Sequence, residues 1–171
     1  MQKITPFLWF DNKAEEAMNF YVSVFSGAPG GGTGKVLSIK RYPDKALDEH
    51  MVGMQGKVLT GVFELNGQRF MALDGGPIFK FTEAVSMHVE CATQEEVDHY
   101  WDKLGEGGDE QAKQCGWLKD RYGLSWQIVP AALPKLLSDP DHEKSERAIK
   151  ALLKMKKLDI AELQRAHRGE I

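Results

Sequence analysis

Residues 15–21 read EEAMNFY and residues 95–101 read EEVDHYW. Each is a Glu-Glu pair, an apolar residue, two variable positions and two aromatics, so Glu15 matches Glu95, Ala17 matches Val97, Phe20 matches Tyr100 and Tyr21 matches Trp101. Around the first copy Ala14, Ala17, Met18, Tyr21, Val22 and Phe25 recur at helical spacing; around the second, Val97, Tyr100, Trp101 and Leu104 do the same. The glutamates fall in the first helical turn, where the helix dipole favours negative charge. Two equivalent amphipathic helices are predicted.

The flanks repeat as well. ITPFLWF (4–10) precedes the first helix and AVSMHVEC (84–91) the second, both extended in character. The first helix is followed by strand-like KVLSIKRY (35–42), VLTGVFEL (58–65) and QRFMALD (68–74), with Asn66-Gly67 as a hairpin turn. The second is followed by 110–114, CGWLKD (115–120) and LSWQIVP (124–130), with Arg121-Tyr122-Gly123 as the turn. The pattern is βαβββ twice. The expected fold is therefore α+β: two βαβββ modules forming a curved mixed sheet or barrel around a cavity, plus C-terminal helices. The first module is placed at 1–76, the second at 77–130 and a helical extension at 131–171. In that extension Asp139 is the expected cap of a helix with Pro140 in its first position, Glu146 and Lys150 are spaced as an ion pair, and Asp159 caps a last helix. Its apolar faces (Ile149, Leu152 and Leu153, then Ile160 and Leu163) need a sheet or a partner chain to cover them, so a homodimer is expected.

GAPGGGTGK (27–35) has the look of a phosphate-binding loop and the wrong grammar. Counting back from Gly34-Lys35 puts Pro29 where the first glycine belongs, and Val36 where a hydroxyl must meet magnesium. Such loops, like dinucleotide and methyl-donor loops, also run from strand to helix, whereas this tract runs from helix to strand. It is a connector.

The totals narrow the function further. The chain has 171 residues with a net charge of −3, which argues against a nucleic-acid surface. No apolar run approaches the ~18 residues of a membrane span. The opening MQKITPFLWFDN lacks the basic, apolar, small-residue layout of a secretory signal. Cys91 and Cys115 stand apart without a CxxC, so free thiols and a cytoplasmic location are expected.

Taken together, ITPFLWFDNKAEEAMNFYVSVF, FMALDGGPIFKF, SMHVEC, DRYGLSWQIVP and the tail KSERAIKALLKMKKLDIAEL resemble the vicinal oxygen chelate superfamily (glyoxalase, bleomycin resistance, dioxygenase). They are most similar to its PhnB-like branch, often labelled 3-demethylubiquinone-9 3-methyltransferase. The resemblance implies a sheet cavity and, in metal-dependent members, four ligands from equivalent strands. Carried over, these fall at Thr5 (or Pro6 if the register slips by one), near Ala72, at Ser86 and at Gln127. Thr5, Ala72 and Ser86 are poor ligands for a divalent transition metal, so the usual metal site is expected to be absent and no cofactor is expected. The absence of a methyl-donor loop argues against the methyltransferase label.

Strand alternation selects what faces the cavity instead. Ser86, His88 and Glu90 share one face of their strand; Thr5, Phe7 and Trp9 join from the first strand, Phe70 and Ala72 from the fourth, and Trp117 and Gln127 from the last two. Aromatic walls with a few polar groups suit a small-molecule ligand. His88 and Glu90, about 7 Å apart along the strand, are the catalytic candidates; the alternative is that both are solvated, or paired with Lys119 or Arg69. Two functions compete, beside a less specific third, an interaction module working through its helical tail. One is metal-independent binding of a small, partly hydrophobic molecule. The other is a glyoxalase-type lyase, isomerase or dioxygenase with a rearranged divalent-metal site built from His88, Glu90 and Gln127. His50, His99, His142, His167 and Cys115 are weaker candidates.

Overall fold

The computed structural model describes residues 3–171. The chain divides into two compact units, Met1–Phe81 and Thr82–Ile171. Each contains one copy of the repeat, and the tail belongs to the second.

In the first unit, strand β1 (Phe7–Phe10) leads into helix α1 (Ala14–Ser26), followed by β2 (Gly34–Arg41), β3 (Val58–Leu65) and β4 (Gln68–Asp74). The sheet order is β1-β4-β3-β2, with β1 parallel to β4 and the other pairs antiparallel. Helix α1 buries Ala14, Ala17, Met18, Tyr21, Val24 and Phe25, the stripe read from the sequence except that Val24 is buried where Val22 was expected and Val22 is only half-buried. Gly61 lets the helix approach, since a Cβ there would stand 2.5 Å from the Met18 sulfur. Tyr21, Phe63 and Phe70 then stack in succession, with ring centroids 6.3 and 5.3 Å apart. The glycine tract is the loop from α1 to β2, as its grammar requires. Asn66 and Gly67 both take positive φ (46° and 81°), which gives the β3–β4 hairpin its tight turn.

The second unit repeats the plan. Strand β5 (Ser86–Cys91), helix α2 (Gln94–Gly105) and strands β6 (Asp109–Gln114), β7 (Trp117–Lys119) and β8 (Ser125–Pro130) build a sheet of order β5-β8-β7-β6. Strand β5 runs parallel to β8. Val97, Tyr100, Trp101 and Leu104 of α2 are buried, as are Leu118, Trp126 and Ile128 of the sheet. Each sheet is a separate, open, four-stranded layer rather than a closed barrel.

The tail forms α3 (Leu133–Leu137), α4 (His142–Leu152) and α5 (Ile160–Arg168). Leu133, Met155, Leu158 and Leu163 close a core with Val129 of β8. The Gln94 side chain holds the tail at both ends of its amide, donating to the Leu158 carbonyl (3.1 Å) and accepting from the Ile160 amide (2.9 Å). Leu163, on one of the faces that suggested a homodimer, is thus covered by the unit itself, while Ile149 and Leu153 remain exposed. Two local expectations need correction. The cap of α4 is Asp141, which accepts from the Glu143 and Lys144 amides, because Asp139 instead accepts from the Asp141 amide. Cys115 does not begin a strand: with φ of 50° it forms the β6–β7 turn with Gly116. Asp159 does cap α5, and Lys150 sits 3.8 Å from Glu146.

Candidate functional site

Each sheet has one face covered by its helix, so candidate functional groups are those on the other face. In the first unit the in-register partners across β1 and β4 are Phe7 with Met71, Leu8 with Ala72, Trp9 with Leu73 and Phe10 with Asp74. Leu8, Phe10, Ala72 and Asp74 are buried towards α1; Phe7, Trp9, Met71 and Leu73 therefore form the face away from it. Phe70 and Ala72, expected on that open face, lie on the helix side instead. Phe70 stacks on Phe63 and Ala72 is fully buried. Phe70 and Ala72 do share one face of β4, and a phase difference of one residue turns every side chain of the strand over.

Trp9 is held rigidly by the stretch DGGP that follows β4. Its indole nitrogen donates to the Gly76 carbonyl at 2.9 Å, and Phe79 packs edge-on at 4.9 Å between centroids. A Cβ at Gly75 would lie 2.1 Å from the indole ring, so only glycine lets the backbone lie against it. Asp74 begins the same motif and performs a different task. Its two carboxylate oxygens accept from the amides of Ala14 (2.9 Å) and Val58 (3.0 Å). Lys13, at the cap position of α1, supplies no side-chain cap, so Asp74 caps the helix from the sheet.

In the second unit Asp120, only 3% exposed, organises DRYGLSW. It accepts from the Tyr122 amide (2.8 Å), the Leu124 amide (3.1 Å) and the Trp126 indole nitrogen (2.8 Å). The open face here carries Ser86, His88 and Glu90 on β5, with Gln127 of β8 in register with His88 and Trp117 of β7 in register with Gln127, while the β8 neighbours of Ser86 and Glu90, Ser125 and Val129, are buried. The Gln127 amide nitrogen donates to the Ser86 hydroxyl at 2.9 Å. His88 and Glu90 are exposed, on the face that alternation assigned them. Lys119 pairs with Glu83 rather than with Glu90, and that hydrogen bond holds the Glu83 carboxyl below its usual range. Cys91 is on the opposite, buried face; burial, helped by Glu96 and Glu90, pushes its thiol up to about 12. His167, one of the weaker candidates, sits 2.9 Å from Asp139.

The donors carried over from metal-dependent relatives do not fit a divalent metal. Thr5, Ala72 and Ser86 bring no imidazole, carboxylate or thiolate, and Gln127 and Ser86 are hydrogen-bonded to each other. Among the described residues, no group of three or more His, Cys, Asp and Glu side chains could hold a metal ion.

One concavity was not anticipated. A cleft of about 300 Å³ opens in the first unit between the segment before β1 (Lys3, Ile4, Thr5) and the β3–β4 hairpin (Glu64, Gly67, Gln68, Arg69). Its signal was present as charged residues at paired strand positions, Lys35 opposite Glu64 and Glu64 opposite Arg69. That pairing becomes visible only once the register is known.

Two βαβββ units, each with a parallel outer pair and an open face, define a protein of the vicinal oxygen chelate fold, in its PhnB-like branch. The sequence model described as 3-demethylubiquinone-9 3-methyltransferase matches residues 2–129, and the chain belongs to that family. A PhnB protein of Bacillus cereus, which carries the same methyltransferase description provisionally, is 43% identical over 76% of this chain and 100% of its own, with a TM-score of 0.60. A Pseudomonas aeruginosa protein is 18% identical over 76% of this chain and 98% of its own, also with a TM-score of 0.60, and shares the fold. No curated protein matches the chain. No helix among the described residues is long and apolar enough to cross a membrane.

Proposed function

We propose that this PhnB-like protein binds a small, partly hydrophobic molecule on the open face of its first sheet, without the metal site of the metal-dependent relatives. The observation that carries this reading is Phe7, an aromatic side chain 48% exposed on a sheet face, beside a Trp9 ring locked by three separate contacts. Met71 and Leu73 continue the same apolar surface. Rigid aromatic groups give contact area at little entropic cost, and an uncovered apolar face otherwise works against solubility. The metal-independent reading rests on the chemistry of Thr5, Ala72, Ser86 and Gln127, and it makes the methyltransferase description a poor guide to activity.

The open face of the second sheet supports the competing reading. His88 lies opposite Gln127 with Glu90 two residues along, so the three donors of a rearranged metal site share one surface. One experiment separates the two. Neutral aromatic compounds are screened by thermal shift against wild type, Phe7→Ala and His88→Ala, and the dialysed proteins are assayed for bound nickel, zinc, manganese and iron. Compounds that stabilise wild type and fail on a folded Phe7→Ala support the proposal. Hits indifferent to Phe7→Ala overturn it. Near-stoichiometric metal lost in His88→Ala installs the metalloenzyme reading in its place.

A further inference from the structure

We infer that the cleft beside Thr5 is an oxyanion site, so that the molecule bound on the first sheet carries a carboxylate or phosphate at one end; this rests on the binding role proposed for that sheet. The inference comes from uncompensated charge at the cleft. Lys3, Glu64 and Arg69 all line it. Glu64 is the anion among them, and the Lys35 ammonium stands 3.3 Å from its carboxylate. Arg69 has no hydrogen bond or ion pair through its guanidinium among the described residues, although Glu64 is its cross-strand neighbour. Lys3 is likewise without a partner among those residues. Two cations are thus left over at one concavity.

The remaining lining suits the same chemistry. The Thr5 hydroxyl can donate to an oxyanion. The Gln68 amide nitrogen donates to the Arg69 carbonyl at 2.8 Å. A guanidinium offers two parallel donors, which matches the two oxygens of a carboxylate or phosphate and makes Arg69 the principal contact.

Position ties the cleft to the apolar face. Strand β1 pairs with β4 in parallel register, Phe7 with Met71, and the Met71 amide donates to the Pro6 carbonyl at 2.9 Å. Two residues back along each chain are Thr5 and Arg69, on the same side as Phe7 and Met71. Two residues of strand span about 7 Å, roughly the length of an aromatic ring with a carboxylate. A volume of about 300 Å³ is at the lower end of small-molecule sites and holds a head group rather than a large ligand.

The test uses three probes on the full chain by titration calorimetry: benzoate, its neutral counterpart benzyl alcohol, and inorganic phosphate. Variants are Arg69→Gln and Arg69→Lys, with urea midpoints confirming that each stays folded. Benzoate is expected to bind wild type more tightly than benzyl alcohol and to weaken with added salt. Arg69→Gln should weaken benzoate by about tenfold or more, Arg69→Lys by less, and benzyl alcohol by nothing. Equal binding of benzoate to wild type and Arg69→Gln overturns the oxyanion site. If benzyl alcohol still binds through Phe7 in that case, the apolar site stands alone. Phosphate binding that is lost in Arg69→Gln, with no binding of benzyl alcohol, keeps the oxyanion site and removes the apolar one. If none of the three probes binds wild type, both proposals fall.

Discussion

Replacing Asp120 by Asn changes one atom and should unsettle the second unit. The wild-type carboxylate is 3% exposed and receives three N–H groups, from Tyr122, Leu124 and the Trp126 indole. Asparagine retains one oxygen, and the two backbone donors hold it at the Oδ1 position. The new NH₂ then faces the Trp126 N–H, donor against donor. Losing that hydrogen bond to a charged acceptor, with the indole left unsatisfied, costs about 1.5–3 kcal/mol. The two surviving bonds lose their charge assistance, worth roughly another 1 kcal/mol together. Removing a buried charge returns part of its desolvation cost, so the net loss is about 2–4 kcal/mol. With a urea m-value of about 2 kcal/mol/M, the midpoint should fall by roughly 1–2 M. Tryptophan fluorescence reports it, because Trp101, Trp117 and Trp126 all lie in the second unit. A double-mutant cycle isolates the cause: in a Trp126→Phe background the same substitution should cost at least about 1 kcal/mol less. A loss below about 0.5 kcal/mol, or the same loss with and without the indole, would refute the role assigned to Asp120.

Asp74→Asn should destabilise the first unit by about 2 kcal/mol, because one of its two amide partners meets an NH₂ and the α1 N-terminus loses its negative charge; circular dichroism in urea measures it, and an unchanged midpoint would remove Asp74 as the cap. In native protein at pH 8, Ellman's reagent should react with one thiol, Cys115, which is partly exposed, and reach Cys91 only on unfolding, because burial holds that thiol protonated; two fast native thiols would contradict this. The Asp139 carboxyl is held below its usual range chiefly by the Asp141 amide and further by His167. Its contribution is therefore present above the ordinary aspartate value of 3.8 and lost as pH falls through that region to the depressed value. Asp139→Asn should flatten the acid limb of the stability profile between about pH 5 and pH 2, and an acid limb identical to wild type would show the pair to be inert.

The repeat was legible because helix periodicity and β alternation are both written in single residue types. Tyr21 and Trp101, matched eighty positions apart, are both buried against their sheets. Tertiary pairing was less legible. Phe70 and Ala72 were assigned to the wrong face because alternation says which residues go together and not which set faces the helix; the partners Leu8 and Phe63 decide that. The cap of α4 was missed by two residues because Asp139 and Asp141 both suit a cap, and a contact with His167, twenty-eight residues away, engages the first. The cleft was missed for the same reason, since Thr5 and Arg69 meet only through the parallel register of β1 and β4.

The motifs that made the family recognisable prove to be architectural. In DGGP, Asp74 caps a helix, Gly75 lies flat on Trp9 and Gly76 accepts from it. In DRYGLSW, Asp120 holds a turn and an indole. The Asp74 and Asp120 carboxylates and the Gly76 carbonyl are each engaged inside their own unit. Family membership therefore transmits a scaffold, and the chemistry of an individual member must come from residues the scaffold does not need. In this chain the proposed binding role falls to Phe7, Arg69 and Lys3 on the first unit, while His88 and Glu90 on the second are donors of the competing metal reading. Substituting Phe7, Arg69 or Lys3 should alter binding while leaving both unfolding midpoints in place, the reverse of the result expected for Asp74 and Asp120. If binding instead follows the architectural residues and ignores the exposed ones, the division between scaffold and site drawn from these contacts is wrong.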